Sequence, residues 1–253
     1  MATRLERQFT TQRLQRRLGR AHERDFIGLR AWDIASWEDD FQGDTLNGLY
    51  QTTASGANSA AAAISTGVVN GAILLDAGDA NSGRCDLSWG LHYQGQLNAV
   101  YAVRASINSL ATRKFEIGFT DVVSGTDAGA LNGKAGNTWT ADNAAILVFD
   151  TSDDTYLSLM GVKATVAATP VDLTDVSLSA ATYYYFGVAL EDDRAFGFVL
   201  DANGRKLAER QITAAITATT LLTPWLFIQN RAGSAGSMTV DWHRAYQHRT
   251  TTS

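Results

Sequence analysis

Beyond residue 67 apolar and polar residues alternate in short runs broken by glycine, asparagine and aspartate, a strand-and-turn pattern. Residues 99–107 place Ala99, Tyr101, Val103, Ala105 and Ile107 on one face and Arg104 on the other. Phe115, Ile117 and Phe119 share a face, with Glu116 and Gly118 opposite. Further strands are predicted over 68–75, 85–93, 144–149, 156–160, 183–190, 195–200, 206–210, 225–229 and 238–246. The densest in aromatic and branched residues is 183–190. Turns fall at Thr151–Asp154, at Glu191–Arg194 and at Asp201–Gly204, where Gly204 suits a positive φ. The run from Ser59 to Ile64 reads equally as a helical turn or a small-residue strand edge. Some twelve to fourteen strands follow without long helical repeats between them, which disfavours a parallel α/β sheet and favours two packed antiparallel sheets. Trp89, Trp225 and Trp242 lie in strand patterns and are expected in the core.

The first 30 residues keep a different period. Leu5, Phe9, Leu14 and Leu18 fall near helical spacing, with Phe26 and Leu29 further on, but the stripe is thin and Gly19 interrupts it. Arg4, Arg7, Arg13, Arg16, Arg17, Arg20, Arg24 and Arg30 face three acids, a net charge of +5. The remaining chain carries 13 basic against 23 acidic residues, a net of −10. A short isolated helix is marginal in water, so the arm is expected to gain order from a partner surface or neighbouring copies; the alternative is a solvated tail. Arginine forks match carboxylates, and the arm lacks the aromatic interleaving of a nucleic-acid binder, so an acidic protein surface is the expected target. Residues 1–31 are read as a basic, partly helical attachment arm and 32–253 as one β domain.

A body of about 220 residues buries a large core without staples. Cys85 is the chain's one cysteine, which excludes an internal disulfide and a thiolate metal cluster. No window approaches 18 continuous apolar residues, so no membrane span is expected, and no apolar segment follows the opening arginines as in a secretory signal.

Four segments carry a resemblance: Trp37–Phe41, Lys114–Asp121, Ala144–Asp150, and the pair Pro224–Asn230 and Met238–Trp242. In their order the body resembles the concanavalin A-like lectin/glucanase jelly roll as it occurs in bacteriophage structural proteins. That likeness implies an all-β sandwich of two antiparallel sheets, preceded by the helical arm. Together with the arm, it implies a non-enzymatic virion structural protein on the capsid or tail surface. The expected form is a homo-oligomeric capsid-associated or decoration protein that binds the major capsid protein or tail components through Arg4, Leu5, Arg7, Phe9, Arg13, Leu14, Arg16, Arg17, Leu18, Arg20 and Arg24. The alternative is a carbohydrate-binding module of a phage tail or baseplate, and further off a glycan hydrolase.

Hydrolysis needs two carboxylates about the scissile bond. The resemblance implies alternating acids on one strand, whereas here Glu116 stands alone, Gly118 takes the next position on its face, and Asp121 has the opposite parity. Acid clusters at Glu38–Asp40, Asp150–Asp154 and Glu191–Asp193 lack the spacing of a calcium loop, and no metal or cofactor is expected. The dispersed His22, His92, His243 and His248 read as surface or partly packed residues. A sugar-binding face would present flat rings, and Tyr93 and Trp139 are the candidates for glycan contact.

Overall fold

The computed structural model describes residues 34–58, 62–123 and 129–249. The predicted helix of the arm, with all its named arginines, leucines and phenylalanine, lies outside the described residues. The strands are β1 (Ile34–Asp39), β2 (Gln51–Ser55), β3 (Ala63–Ile64), β4 (Ile73–Asp76), β5 (Arg84–Ser88), β6 (Val100–Ile107), β7 (Arg113–Thr120), β8 (Leu131–Gly133) and β9 (Thr138–Trp139). They continue as β10 (Ala144–Asp150), β11 (Leu157–Lys163), β12 (Val166–Ala167), β13 (Val171–Asp172), β14 (Tyr183–Glu191), β15 (Arg194–Leu200), β16 (Lys206–Ile212), β17 (Thr223–Asn230) and β18 (Ser237–His248). The excess over the expected count comes from two- and three-residue pieces such as β9, β12 and β13, too short to leave a periodic signal.

Two eight-stranded antiparallel sheets form a sandwich. The first runs β16-β15-β14-β6-β18-β4-β3, with β1 also paired to β18. The second runs β12-β11-β10-β7-β17-β5-β2, with β13 also paired to β11. Their inner faces share one core, in which Tyr101, Val103, Ala105, Phe115, Ile117, Phe119, Leu226 and Ile228 are buried as strand alternation requires. Cys85 is buried in this core, and burial pushes its thiol up to about 12, so it behaves as a small apolar residue. The β15–β16 turn is closed by the Asp201 carboxylate, which accepts the Asn203 and Arg205 amides at 2.9 Å each, and Gly204 takes φ +79°.

Trp242 leaves the expected core, whereas Trp89 and Trp225 are buried as expected. In β18 the register shifts between Val240 and Trp242. The bulge at Asp241 inverts the alternation, so Met238 and Val240 point inward, and after it His243 and Ala245 do. Trp242 therefore faces outward and is half-buried. Trp225 is fully buried, but beneath a loop on the outer face of the second sheet.

His243, expected as a surface or partly packed residue, is fully buried as a result of the same bulge. Its Nε2 lies 2.6 Å from the Tyr50 hydroxyl. That hydroxyl donates to Asp39 at 2.8 Å and accepts the Trp37 indole N–H at 3.1 Å. With the tyrosine proton committed to Asp39, His243 Nε2–H is the donor, and Nδ1 has no hydrogen-bond partner among the described residues. Burial holds the imidazole neutral, its pKa lowered to about 3 despite the Asp39 charge. The ring stacks on Phe41 at 5.1 Å and meets Trp89 edge-on at 4.7 Å, tying β1 and the loop that follows it to the first sheet.

Candidate functional site

The charged residues of the second sheet converge on its outer face. Paired residues in adjacent strands point to the same side, so the pairings Asp86↔Phe227, Phe227↔Glu116 and Glu116↔Val148 make a row across β5, β17, β7 and β10. The next row is Arg84, Gln229, Lys114 and Asp150. Such a face is ordinarily wetted, yet Asp86, Lys114, Glu116 and Asp150 are all fully buried.

What covers Glu116 is the loop that carries β8 and β9. The Glu116 carboxylate accepts the backbone N–H groups of Ala130 at 2.9 Å and Leu131 at 3.1 Å and the Trp225 indole N–H at 2.8 Å. Lys114 Nζ pairs with it at 2.7 Å and also donates to the Leu131 carbonyl. Burial lowers the Lys114 pKa, and the Glu116 charge works against that fall. The loop fills the rest of the face with apolar side chains. Ala130 and Ala141 pack on Trp225 and Phe227, and Leu131 packs on Ile146, Val148 and Met160. At its far end Lys134 pairs with Asp154 and donates to the Tyr156 carbonyl at 2.9 Å, while Asn137 donates to the Ala168 carbonyl at 3.0 Å.

Gly129 sets the closeness of this lid. It has φ +79°, and a Cβ there would lie 2.8 Å from a Glu116 carboxylate oxygen. Gly129→Val is expected to cost roughly 1–3 kcal/mol from the backbone term alone, read as a lower urea midpoint together with a red-shifted Trp225 emission. An unchanged midpoint would mean that the loop is not seated on the carboxylate.

Asp86 is less completely served. Its Oδ1 accepts the Thr53 amide at 3.0 Å, whereas among the described residues Oδ2 has no hydrogen-bond partner. Burial raises its pKa to about 7, opposed by the Thr53 bond and the Arg84 charge. Asp150 goes the other way. Burial would raise it, but bonds from Arg231 and Ser152 outweigh that and hold the carboxyl below its usual range. No group of three or more histidine, cysteine, aspartate or glutamate side chains is arranged to hold a metal ion among the described residues.

Of the two glycan candidates, Tyr93 is buried and Trp139 keeps part of its surface exposed. Tyr93 is 6% exposed, and its ring packs in the core 5.7 Å from Phe119. Trp139, in the lid itself, is half-buried against the cluster of Leu131, Ile146, Val148 and Met160, its indole N–H given to Asn137 at 2.8 Å. The two sit in different layers. Gly118 lies where the resemblance implies a second acid, and a Cβ there would strike the Ala145 carbonyl at 2.3 Å. The sequence reading missed Asp86, Lys114 and the Tyr50–His243 pair.

No protein-family profile and no curated protein sequence matches the chain. Solved structures do. The carbohydrate-binding module CBM2 of an evolved Dit protein from Lactobacillus casei BL23 phage J-1 aligns at TM-score 0.54 and 12% identity over 87% of this chain and 99% of that one. The Bacillus licheniformis β-glucanase aligns at 0.56 and 15% identity over 85% and 99%, and peanut lectin at 0.55 and 10% over 87% and 100%. The body therefore has the lectin/glucanase jelly-roll fold, and such distant likeness speaks to the fold alone.

Proposed function

We propose that the chain is a non-catalytic jelly-roll component of a bacteriophage particle, set on the capsid or tail surface as a structural protein. The observation that carries the non-catalytic part is the use made of Glu116. Both carboxylate oxygens are spent on two amides, an indole and an ammonium beneath a lid, and no second acid shares its strand. A general acid or nucleophile must instead reach substrate. The particle reading is supported by the phage-derived Dit module of the same fold and by the eight arginines that precede the body. In this reading the arm binds an acidic surface of the major capsid protein or of tail components, or neighbouring copies of this chain in a homo-oligomer.

A second reading, glycan binding at a phage tail or baseplate, is favoured by one observation: that phage neighbour is itself a carbohydrate-binding module. One set of measurements separates these two readings from each other and from a glycan hydrolase. The full chain is expected to release no sugar from β-glucan, galactan or peptidoglycan, and to copurify with particles in a manner that deletion of residues 1–31 abolishes. Turnover lost in Glu116→Gln would overturn the non-catalytic reading. Particle association that survives the deletion would overturn attachment by the arm. Glycan-array binding lost in Trp139→Ala would replace the structural reading with the lectin one.

A further inference from the structure

The outer face of the first sheet carries its own apolar cluster, where an antiparallel sandwich ordinarily turns polar residues to water. Ala102, Phe198 and Leu200 are 3%, 3% and 7% exposed, and Tyr185 and Trp242 pack against them. The Phe198 ring lies over Gly187, where a Cβ would come within 2.0 Å of it. Tyr185 and Trp242 meet edge-on at 6.2 Å. None of these residues belongs to the core between the sheets, and no third layer of strands or helices covers this face among the described elements.

The geometry points to residues 1–33 of the same chain as the occupant of this face. The described residues begin at Ile34, in β1, which pairs with residues 243–248 of β18, the stretch that presents Arg244 and Tyr246 outward next to Trp242. The preceding residues thus begin at the border of the cluster. The acids Glu38 on β1 and Glu209 on β16 stand at opposite borders, six strands apart inclusive, or roughly 24 Å at the usual strand spacing. A helix of about 16 residues covers that distance, and 33 are at hand.

The chemistry matches as well. Leu5, Phe9, Leu14 and Leu18 supply apolar side chains, and the arginines supply planar cations for aromatic faces and carboxylates. The face already binds one guanidinium in this way. Arg104 lies 4.2 Å from the Tyr183 ring centroid and 5.9 Å from that of Tyr185, and pairs with Asp241. A net charge of +5 in residues 1–30 against −10 in the rest favours the contact. This docking does not depend on the particle reading, since a free chain would fold its arm back in the same manner. Within that reading, however, the arm must leave this face before it can engage another protein.

Limited trypsin digestion of the full chain tests the proposal. Cleavage after Arg13, Arg16, Arg17 and Arg20 is expected to run at least tenfold slower than in a synthetic peptide of residues 1–30. Phe198→Ser should remove that protection. Leu14→Ser with Leu18→Ser should do the same from the side of the arm, where the change cannot unfold the sandwich. Equal cleavage of full chain and peptide, or protection that persists in the double arm variant, would overturn the docking. Protection that rises with protein concentration alongside a dimer mass by light scattering would assign the face to a second copy instead.

Discussion

Glu116→Ala should destabilise the fold by about 3–5 kcal/mol in urea denaturation, the range for removal of one partner from a buried ion pair. The change orphans more than Lys114. Two backbone N–H groups of the lid and the Trp225 indole lose their acceptor together, and each unpaired buried donor carries its own desolvation cost. Lys114 retains the Leu131 carbonyl, but its ammonium would lose its paired carboxylate 5.2 Å from the Phe227 ring, with Asp150 the acid that still acts on it and Arg231 acting against it. Removal of both charges in Lys114→Met with Glu116→Gln should recover much of the loss, since Gln keeps one oxygen for the lid. A double-mutant cycle measures the coupling. A cost below about 1 kcal/mol for Glu116→Ala would show that the lid is held by its apolar contacts alone, and would return Glu116 to the list of groups free to do chemistry.

The lid also marks where local pattern stops predicting structure. In β6 one face is inward and the other is not, so Tyr101, Val103 and Ala105 declare the inner face by alternation. β10 and β17 are apolar on both parities, from Ala144 to Phe149 and from Trp225 to Ile228. That is the mark of a strand covered on both sides. It was a usable signal for a second layer over Trp225, Phe227 and Ile146, although it names no covering segment. The covering loop is polar and glycine-punctuated, with few side chains of its own to advertise burial. Its hold on Glu116 runs through backbone N–H groups, which no residue type announces.

The reversal at Asp241 is harder still. A single extra residue in β18 exchanges Trp242 for His243 at the core, and nothing in the alternation of Met238 to Tyr246 records the slip. The partner that makes His243 tolerable there, Tyr50, is 193 residues away in the chain. The charged residues split along the same lines. The isolation of Glu116 on its strand was legible in Phe115–Phe119, while the approach of Asp86 to the same face depends on β5 and β7 flanking β17.

Asp86 and His243 should together conceal a steep dependence of stability on pH. His243 has its folded pKa lowered to about 3 from 6.5, by burial first, against the charge of Asp39 and beside the hydroxyl of Tyr50. The unfolded chain binds this proton more readily, so the contribution is full above pH 6.5 and is lost as pH falls toward 3. Asp86 has its folded pKa raised to about 7 from 3.8, by burial first, with the Arg84 charge lowering it and the Glu116 charge raising it. Here the folded chain binds the proton more readily, so the contribution is full below pH 3.8 and is lost as pH rises toward 7.

Each effect amounts to roughly 4–5 kcal/mol over its window, at up to about 1.4 kcal/mol per pH unit. Between pH 4.5 and 6 the slopes are opposite and nearly equal, and the wild-type chain should be close to flat in denaturation free energy. Asp86→Asn keeps the acceptor for the Thr53 amide and removes the titration. The variant should lose stability steadily as pH falls from 6 to 4.5, the His243 dependence now unopposed. Relative to wild type it should gain nothing near pH 4 and several kcal/mol by pH 7.5, where the wild-type fold must hold an ionised, buried Asp86. Urea denaturation of both chains at half-unit steps from pH 4 to 7.5 reads the difference directly. Two curves that run parallel across that range would mean that Asp86 stays ionised in the fold and that its second oxygen is satisfied.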